Sequence, residues 1–208
     1  MDLIPKIFVI NLPHRTDRLQ SISVELERMG LFDKMEVVPG TVMIAPDGLG
    51  GPGIADAHAR CLEIAQQRGY EMIMILEDDC KFVVDKETLR AELETFFNSA
   101  PPDWNGLWFG SFWNGDKSGL SDRNWLIPTW LRQDTATVIH SRFYSQLIES
   151  YRHCRDKYME TGDEKYNIDW WIAENISIYS LKNKLCGQAD DYSDRVFLQM
   201  GGGIGIPL

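Results

Sequence analysis

Cysteine is scarce. The four in this 208-residue chain, Cys61, Cys80, Cys154 and Cys186, show no C-x-x-C spacing. Neither a disulfide framework nor a zinc ribbon is expected; free thiols in a reducing compartment are, which makes the cytoplasm the expected location. Long apolar runs are also missing. The longest, Met72 to Leu76, falls far short of the roughly 18 residues that suggest a membrane span. The opening MDLIPKIFVINL lacks a basic leader, a long apolar stretch and a small-residue cleavage site, so no signal peptide is expected. Positive charge is in the minority, with 21 Lys and Arg against 31 Asp and Glu, a net charge of −10. That balance argues against a nucleic-acid partner, whose phosphates call for a basic surface. There is no internal repeat, low-complexity tract or obvious linker.

What is present is ample material for a core: 44% hydrophobic residues and seven Trp. Lys6 to Leu12 is a short β-branched apolar run and reads as a buried strand. Leu19, Ile22, Leu26 and Met29 then recur at helical spacing up to Gly30. KMEVVPG reads as a second strand, MIAPDGLGGPG as a loop, and Ile54 to Gly69 as a helix. EMIMIL is a third strand. Further on, DKETLRAELETFFNSAPP reads as a capped helix, GLWFGSFW and TATVIHS as strands, and RFYSQLIESYRHC as a helix. NIDWWIAENISIYSL reads as a short helix running into a strand. Strand–helix–strand alternation implies one α/β domain over residues 1–208, with a mixed, mostly parallel central sheet flanked by helices and the first strand in its interior. The Gly-rich end, MGGGIGIPL, is what a domain cut from a longer chain would show.

The third strand ends in three acids, Glu77, Asp78 and Asp79. Ligands of open parallel sheets bind at the carboxyl ends of strands. Carboxylate oxygens suit Mg²⁺ or Mn²⁺, which take one or two protein carboxylates and complete their shell with substrate phosphates and water. Strand alternation would point Glu77 and Asp79 to one side and Asp78 to the other. The competing reading is a solvated acidic turn. As a surface metal ligand, Asp79 should be replaceable by Ala with loss of Mn²⁺-dependent activity but under about 0.5 kcal/mol of stability. The first strand ends in a complementary cluster: Asn11, His14, Arg15 and Arg18. Arg15 and Arg18 lie one helical turn apart and could face a diphosphate together, or face solvent at the helix start. A basic cluster after one strand and an acidic one after another describe a clamp in which cationic side chains and a metal share one diphosphate.

In chain order, these segments resemble glycosyltransferase family 25, which includes the lipopolysaccharide glycosyltransferases. IFVINLPHRTDR resembles the family's opening strand and Arg pair, and VVPGT its second strand end. GGPGIADAHARCLEIAQQRGYEMIMILEDDC resembles its Gly-rich loop, helix and Glu-Asp-Asp strand. TATVIHSRFYSQLI, NIDWWIAE and GQADDYSD resemble later segments. Ala57 stands where the family has Ser before His58, Thr135-Ala136-Thr137 lacks the family's Gly, and Ile139 takes the place of its Tyr. These departures bear on the acceptor and the exact sugar.

The resemblance implies a GT-A-like (Rossmann-like) fold, with a nucleotide-binding half over about residues 1–100 and an acceptor half over about 101–208. It implies a transferase moving sugar from a nucleotide-diphosphate donor, with UDP expected, to a hydroxyl on a glycan, lipid or protein, helped by Mn²⁺ or Mg²⁺. Carried over, Asp79 is the principal metal ligand, Glu77 faces the ribose or metal, and Asp78 reaches sugar hydroxyls. Leu12 and Arg15 lie along the nucleotide, Val38, Gly40 and Thr41 near its base, and the helix bearing His58 on the nucleotide side.

An inverting transfer needs a carboxylate base, and Asp169 is the candidate. It could equally be a helix N-cap. Asp134, Asp190 and Asp191 are the reserves. Trp113 and Trp125, set among polar residues, are candidate sugar platforms, whereas Trp108 and Trp130 read more as core. His140 reads as a strand-end histidine. Two rival functions share these features: another metal-dependent phosphate enzyme (nucleotidyltransferase or phosphohydrolase), and a non-catalytic sugar-nucleotide or carbohydrate-binding module.

Overall fold

The computed structural model describes residues 3–132 and 135–189. β1 (Ile7–Asn11), α1 (Thr16–Arg28), β2 (Met35–Pro39), α2 (Gly51–Gln67) and β3 (Met72–Glu77) follow the expected alternation. β1 lies between β2 and β3 and parallel to both, with Ile7 opposite Met35 on one side and Met74 on the other. The remaining elements are β4 (Cys80–Phe82), α3 (Lys86–Ser99), β5 (Gly106–Trp108), β6 (Phe112–Asn114), β7 (Trp125–Leu126), β8 (Trp130–Arg132), β9 (Ala136–His140), α4 (Tyr144–Thr161), α5 (Ile168–Asn175), β10 (Tyr179–Leu181) and β11 (Cys186–Gln188).

Among the described residues, the central sheet has seven strands in the order β2-β1-β3-β9-β5-β10-β7. β9 runs antiparallel to both neighbours, and β7 antiparallel to β10. The other strands share one direction, so the sheet is mixed and mostly parallel, as the sequence implies. Helices cover both faces. α1 and α3 bury Ile22, Leu26, Leu89, Leu93 and Phe96 against Val9, Met74 and Leu76 on one side. α2, α4 and α5 bury Leu62, Tyr144, Leu147, Ile168 and Ile172 against Phe8, Ile73, Ile75 and Trp108 on the other. Each fully buried Leu or Ile contributes about 1.5–3 kcal/mol. All four cysteines are free and buried. No helix among the described residues is long and apolar enough to cross a membrane.

Several local expectations are corrected. α2 begins at Gly51 rather than Ile54. Gly51-Pro52-Gly53 forms its first turn, where proline fits the helix start. A Cβ on Gly53 would lie 2.0 Å from the Thr41 carbonyl oxygen, so the glycine permits that close approach. GLWFGSFW is two strands, β5 in the central sheet and β6 paired with β8, broken at Gly110. A Cβ there would meet Cys186 Sγ at 2.7 Å. α4 extends to Thr161, well past Cys154, and ends on Gly162 with φ 65°. Trp125 is core, not platform: it is 2% exposed, packs edge-on to Phe96 and Tyr179, and donates to Ser99 Oγ.

Candidate active site

β1 and β3 end side by side, and β9 starts beside them because it runs the opposite way. Ala136 pairs with Leu76, and Glu77 N–H donates to the Thr135 carbonyl at 3.0 Å. The acidic end of β3 is therefore flanked by the loop after β1 on one side and the approach to β9 on the other.

Asp78 is 8% exposed. Asn11 Nδ2 donates to its Oδ2 at 2.7 Å and Arg18 Nη1 to its Oδ1 at 3.1 Å. Arg18 Nη1 also lies 3.3 Å from Asp79 Oδ2. Both carboxylates thus reach one guanidinium on α1. The strand alternation expected to separate them ends at Glu77, because Asp78 and Asp79 form a turn. This corrects the pairing of Asp79 with Glu77 against Asp78. It also corrects the picture of Asp79 as a surface acid, since its side chain is only 11% exposed. Burial pushes the Asp78 carboxyl above the ordinary range, while Asn11 and Arg18 pull against that rise.

Asn11 Nδ2 also donates to the Arg15 carbonyl at 3.0 Å, and Arg15 N–H to the Leu12 carbonyl at 2.8 Å, fixing the turn into α1. The Arg15 side chain is held by Asp17 at 3.0 Å, and that contact draws the exposed Asp17 carboxyl down to about 2.

Glu77 belongs to the opposite face of the sheet. Its Oε1 lies 4.0 Å from His58 Nε2, and Gln188 Nε2 donates to its Oε2 at 3.4 Å. His58 is wholly buried, and burial lowers its pKa to about 4. The imidazole is therefore neutral near pH 7, and the approach to Glu77 is not a salt bridge. Among the described residues, neither ring nitrogen has a hydrogen-bond partner, nor do the hydroxyls of Thr135 and Thr137. Burial of such unsatisfied groups is uncommon and costs about 1–3 kcal/mol each.

The expected base-side residues cluster beside β1. Val38 is buried opposite Ile10, and Gly40 N–H donates to the Asn11 carbonyl at 2.7 Å. A Cβ on Gly40 would touch Leu12 Cδ2 at 3.0 Å. Thr41 Oγ1 accepts from Arg60 at 2.8 Å and donates to Asp56 at 3.3 Å, and Asp56 also pairs with Arg155 at 2.9 Å. Asp56, Arg60 and Arg155 were not foreseen. The signal was partly present, since Asp56 and Arg60 are four apart on α2, but Arg155 comes from α4, far along the chain.

Asp169 lies in the first turn of α5 and is half-buried. The cap is Asn167, whose side chain accepts from Asp169 N–H at 3.1 Å. The N-cap reading of Asp169 is thereby replaced. α5 packs on the face that carries Glu77 and His58. Asp134, Asp190 and Asp191 lie outside the described residues. Trp113 is half-buried on β6, and His140 ends β9, where its Nδ1 accepts from Arg142 N–H.

Among the described residues, no group of three His, Cys, Asp or Glu side chains forms a protein-only metal cage. The donor set at the turn is hard carboxylate oxygen beside a buried cation. It fits an ion that draws most of its ligands from substrate and water.

No protein-family model matches the chain, and no curated protein sequence matches it. Family 25 therefore remains a resemblance. Solved structures do share the fold. One is a glycosyltransferase involved in the glycosylation of the major capsid of PBCV-1, 9% identical, with a TM-score of 0.50 over 94% of this chain and 98% of the other. Another is A197 from STIV, 11% identical, with a TM-score of 0.50 over 91% of this chain and 87% of the other. The chain has a GT-A-like fold. At such identity the likeness speaks to the fold alone.

Proposed function

We propose that this chain is a glycosyltransferase that moves a sugar from a nucleotide-diphosphate donor, with UDP the expected nucleotide, to a hydroxyl acceptor. The observation that carries this reading is the cluster of Asn11, Arg18, Asp78 and Asp79 at the adjoining carboxyl ends of two parallel strands. The capsid glycosyltransferase of like fold supports it at the level of architecture.

Asn11 and Arg18 fix Asp78, and Asp78 in turn holds the end of β1 against the end of β3. The uridine would lie along Leu12, Val38, Gly40 and Thr41, with Arg15 near the diphosphate. Asp79 would hold Mn²⁺ or Mg²⁺, and Glu77, which points to the other face of the sheet beside His58, would face the ribose. When bound, the ion supplies positive charge against the leaving diphosphate, which lowers the barrier to breaking the sugar–phosphate bond. Asp169 accepts the proton from the acceptor hydroxyl as that oxygen bonds to the anomeric carbon. The bond from that carbon to the phosphate oxygen breaks, and the electron pair leaves with the nucleoside diphosphate. Neutral His58, 4.0 Å from Glu77, would offer a ring nitrogen to the bound donor without adding charge.

A thermal-shift screen of sugar nucleotides, with and without Mn²⁺, tests the reading. A donor at 100 times its dissociation constant stabilises the fold by about 2.7 kcal/mol. No shift with any sugar nucleotide would end it. Asp169→Asn should leave donor binding intact and lower transfer by about 10²–10⁴-fold, the usual worth of a general base.

A further inference from the structure

The ribbon of β6 and β8 turns one face outward. Register places Phe112 opposite Arg132 and Asn114 opposite Trp130 on that face, with Trp113 and Leu131 on the other. Leu131 is buried, whereas Phe112 is 53% exposed. Arg132 is exposed, and its guanidinium lies 5.7 Å from the Trp130 ring and 5.2 Å from the Trp170 ring on α5. Lys184 Nζ lies 3.6 Å from the centre of the Phe112 ring.

The arrangement is unusual for this chain. Its net charge is −10, and its arginines and lysines mostly pair with carboxylates. Among the described residues, Arg132 and Lys184 make no ion pair and rest on aromatic rings instead. A guanidinium held near indole rings rather than by a carboxylate keeps N–H donors to match a carboxylate or phosphate. The rings beside it offer apolar surface to the C–H face of a sugar.

The patch also connects the two ends of the candidate active site. Gln188 reaches Glu77, and its neighbour Gly187 lies under the Lys184 side chain, 3.2 Å from a Cβ position to Nζ. Lys184 covers Phe112, Phe112 pairs with Arg132, and Arg132 meets Trp170, the residue after Asp169. An arc of aromatic and cationic side chains thus runs from the end of β3 to α5.

We infer that this arc is the acceptor platform, and that the acceptor is an anionic saccharide, a sugar ring carrying a carboxylate or a phosphate. This rests on the transferase reading for its role in turnover, but the binding surface stands on its own contacts. Charge complementarity favours such a ligand: a general surface of this acidic protein would repel it, whereas two cations held on rings attract it.

The test is calorimetry with three disaccharides: one bearing a uronic acid, one bearing a sugar phosphate, and their neutral parent. The wild-type protein should bind at least one acidic form tenfold or more tightly than the neutral one, with affinity falling as salt rises. Arg132→Gln with Lys184→Gln should remove that preference, and because Arg132 is exposed and Lys184 only half-buried, melting should change little. Trp170→Leu should weaken acidic and neutral forms alike. Equal affinity for all three sugars, or an acidic preference that survives Arg132→Gln with Lys184→Gln, overturns the inference. Sugar-nucleotide thermal shifts on the same variants separate the readings: loss of donor binding in the wild type defeats the transferase proposal, whereas intact donor binding without acidic preference defeats only the platform.

Discussion

The two faces of the sheet at the end of β3 treat buried polarity in opposite ways. On the α1 face, Asp78, Asp79, Asn11 and Arg18 bond to one another. Slightly further along α1, Glu25 is 3% exposed and accepts from Phe82 N–H at 2.7 Å and from Arg28 at 2.6 Å. Burial would raise the Glu25 pKa, but these partners hold it below its usual value. On the α2 face, His58, Thr135 and Thr137 are buried with ring nitrogens and hydroxyls that have no hydrogen-bond partner among the described residues. The first arrangement answers the desolvation of charge with opposite charge and N–H donors. The second leaves the cost of desolvation standing. The difference suggests that the α1 face holds the acidic turn still, while a bound ligand has most to gain on the α2 face.

The largest stability effect that would test this contrast is loss of Arg18. Removing one partner from a buried ionic cluster costs about 3–5 kcal/mol, because the remaining charges stay buried without compensation. Arg18→Ala should show that loss in urea unfolding. Arg18→Leu combined with Asp78→Leu should recover much of it. If Arg18→Ala unfolds at the wild-type midpoint, the α1-face cluster is not structural.

His58 should behave in the opposite sense. His58→Leu removes two unsatisfied nitrogens, so stability should stay level or rise by up to about 2 kcal/mol, while sugar-nucleotide affinity falls. The pH profile sharpens the point. The folded pKa, about 4, lies below the ordinary value of 6.5, so the unfolded state binds the proton more readily. The His58 contribution is fully present above pH 6.5 and is lost as pH falls towards 4, with a slope of up to about 1.4 kcal/mol per pH unit. His58→Leu should flatten the profile in that window. Equal slopes for the two proteins would mean that the imidazole is not held neutral by burial.

The smallest effect should come from an exposed pair away from both faces. Arg68 donates to both oxygens of Glu36 at 2.8 Å, but the Arg68 side chain is 47% exposed. Arg68→Ala should cost under about 1 kcal/mol and lose even that in high salt.

Legibility in the sequence also divides along the chain. β1, β2, β3 and the two helices between them follow from period-two and helical spacing, because each element is a contiguous pattern with its own stop signal. The position of the acids at a strand end followed in the same way. Their partners did not, because the meeting of Arg18 with Asp78 depends on strand register across about 60 residues of chain rather than on spacing. β9 offered no sign that it would enter antiparallel between β3 and β5. Trp125 sits among polar residues yet is core, since its partners Phe96 and Tyr179 come from distant elements. The cap of α5 is Asn167, two residues before the Asp169 that the sequence offered for that place. The approach of Arg132 to the Trp130 and Trp170 rings likewise joins β8 to α5 and has no linear signature.

The most direct measurement is release of nucleoside diphosphate from a sugar nucleotide with Mn²⁺ and a hydroxyl acceptor, for the wild-type protein and Asp79→Asn. Asn keeps the shape of the side chain but removes the charge that would hold the ion. The account predicts Mn²⁺-dependent release by the wild type and at least a hundredfold loss in Asp79→Asn, with the fold retained by circular dichroism. Wild-type rates in Asp79→Asn, or no release from any sugar nucleotide by the intact protein, would contradict it.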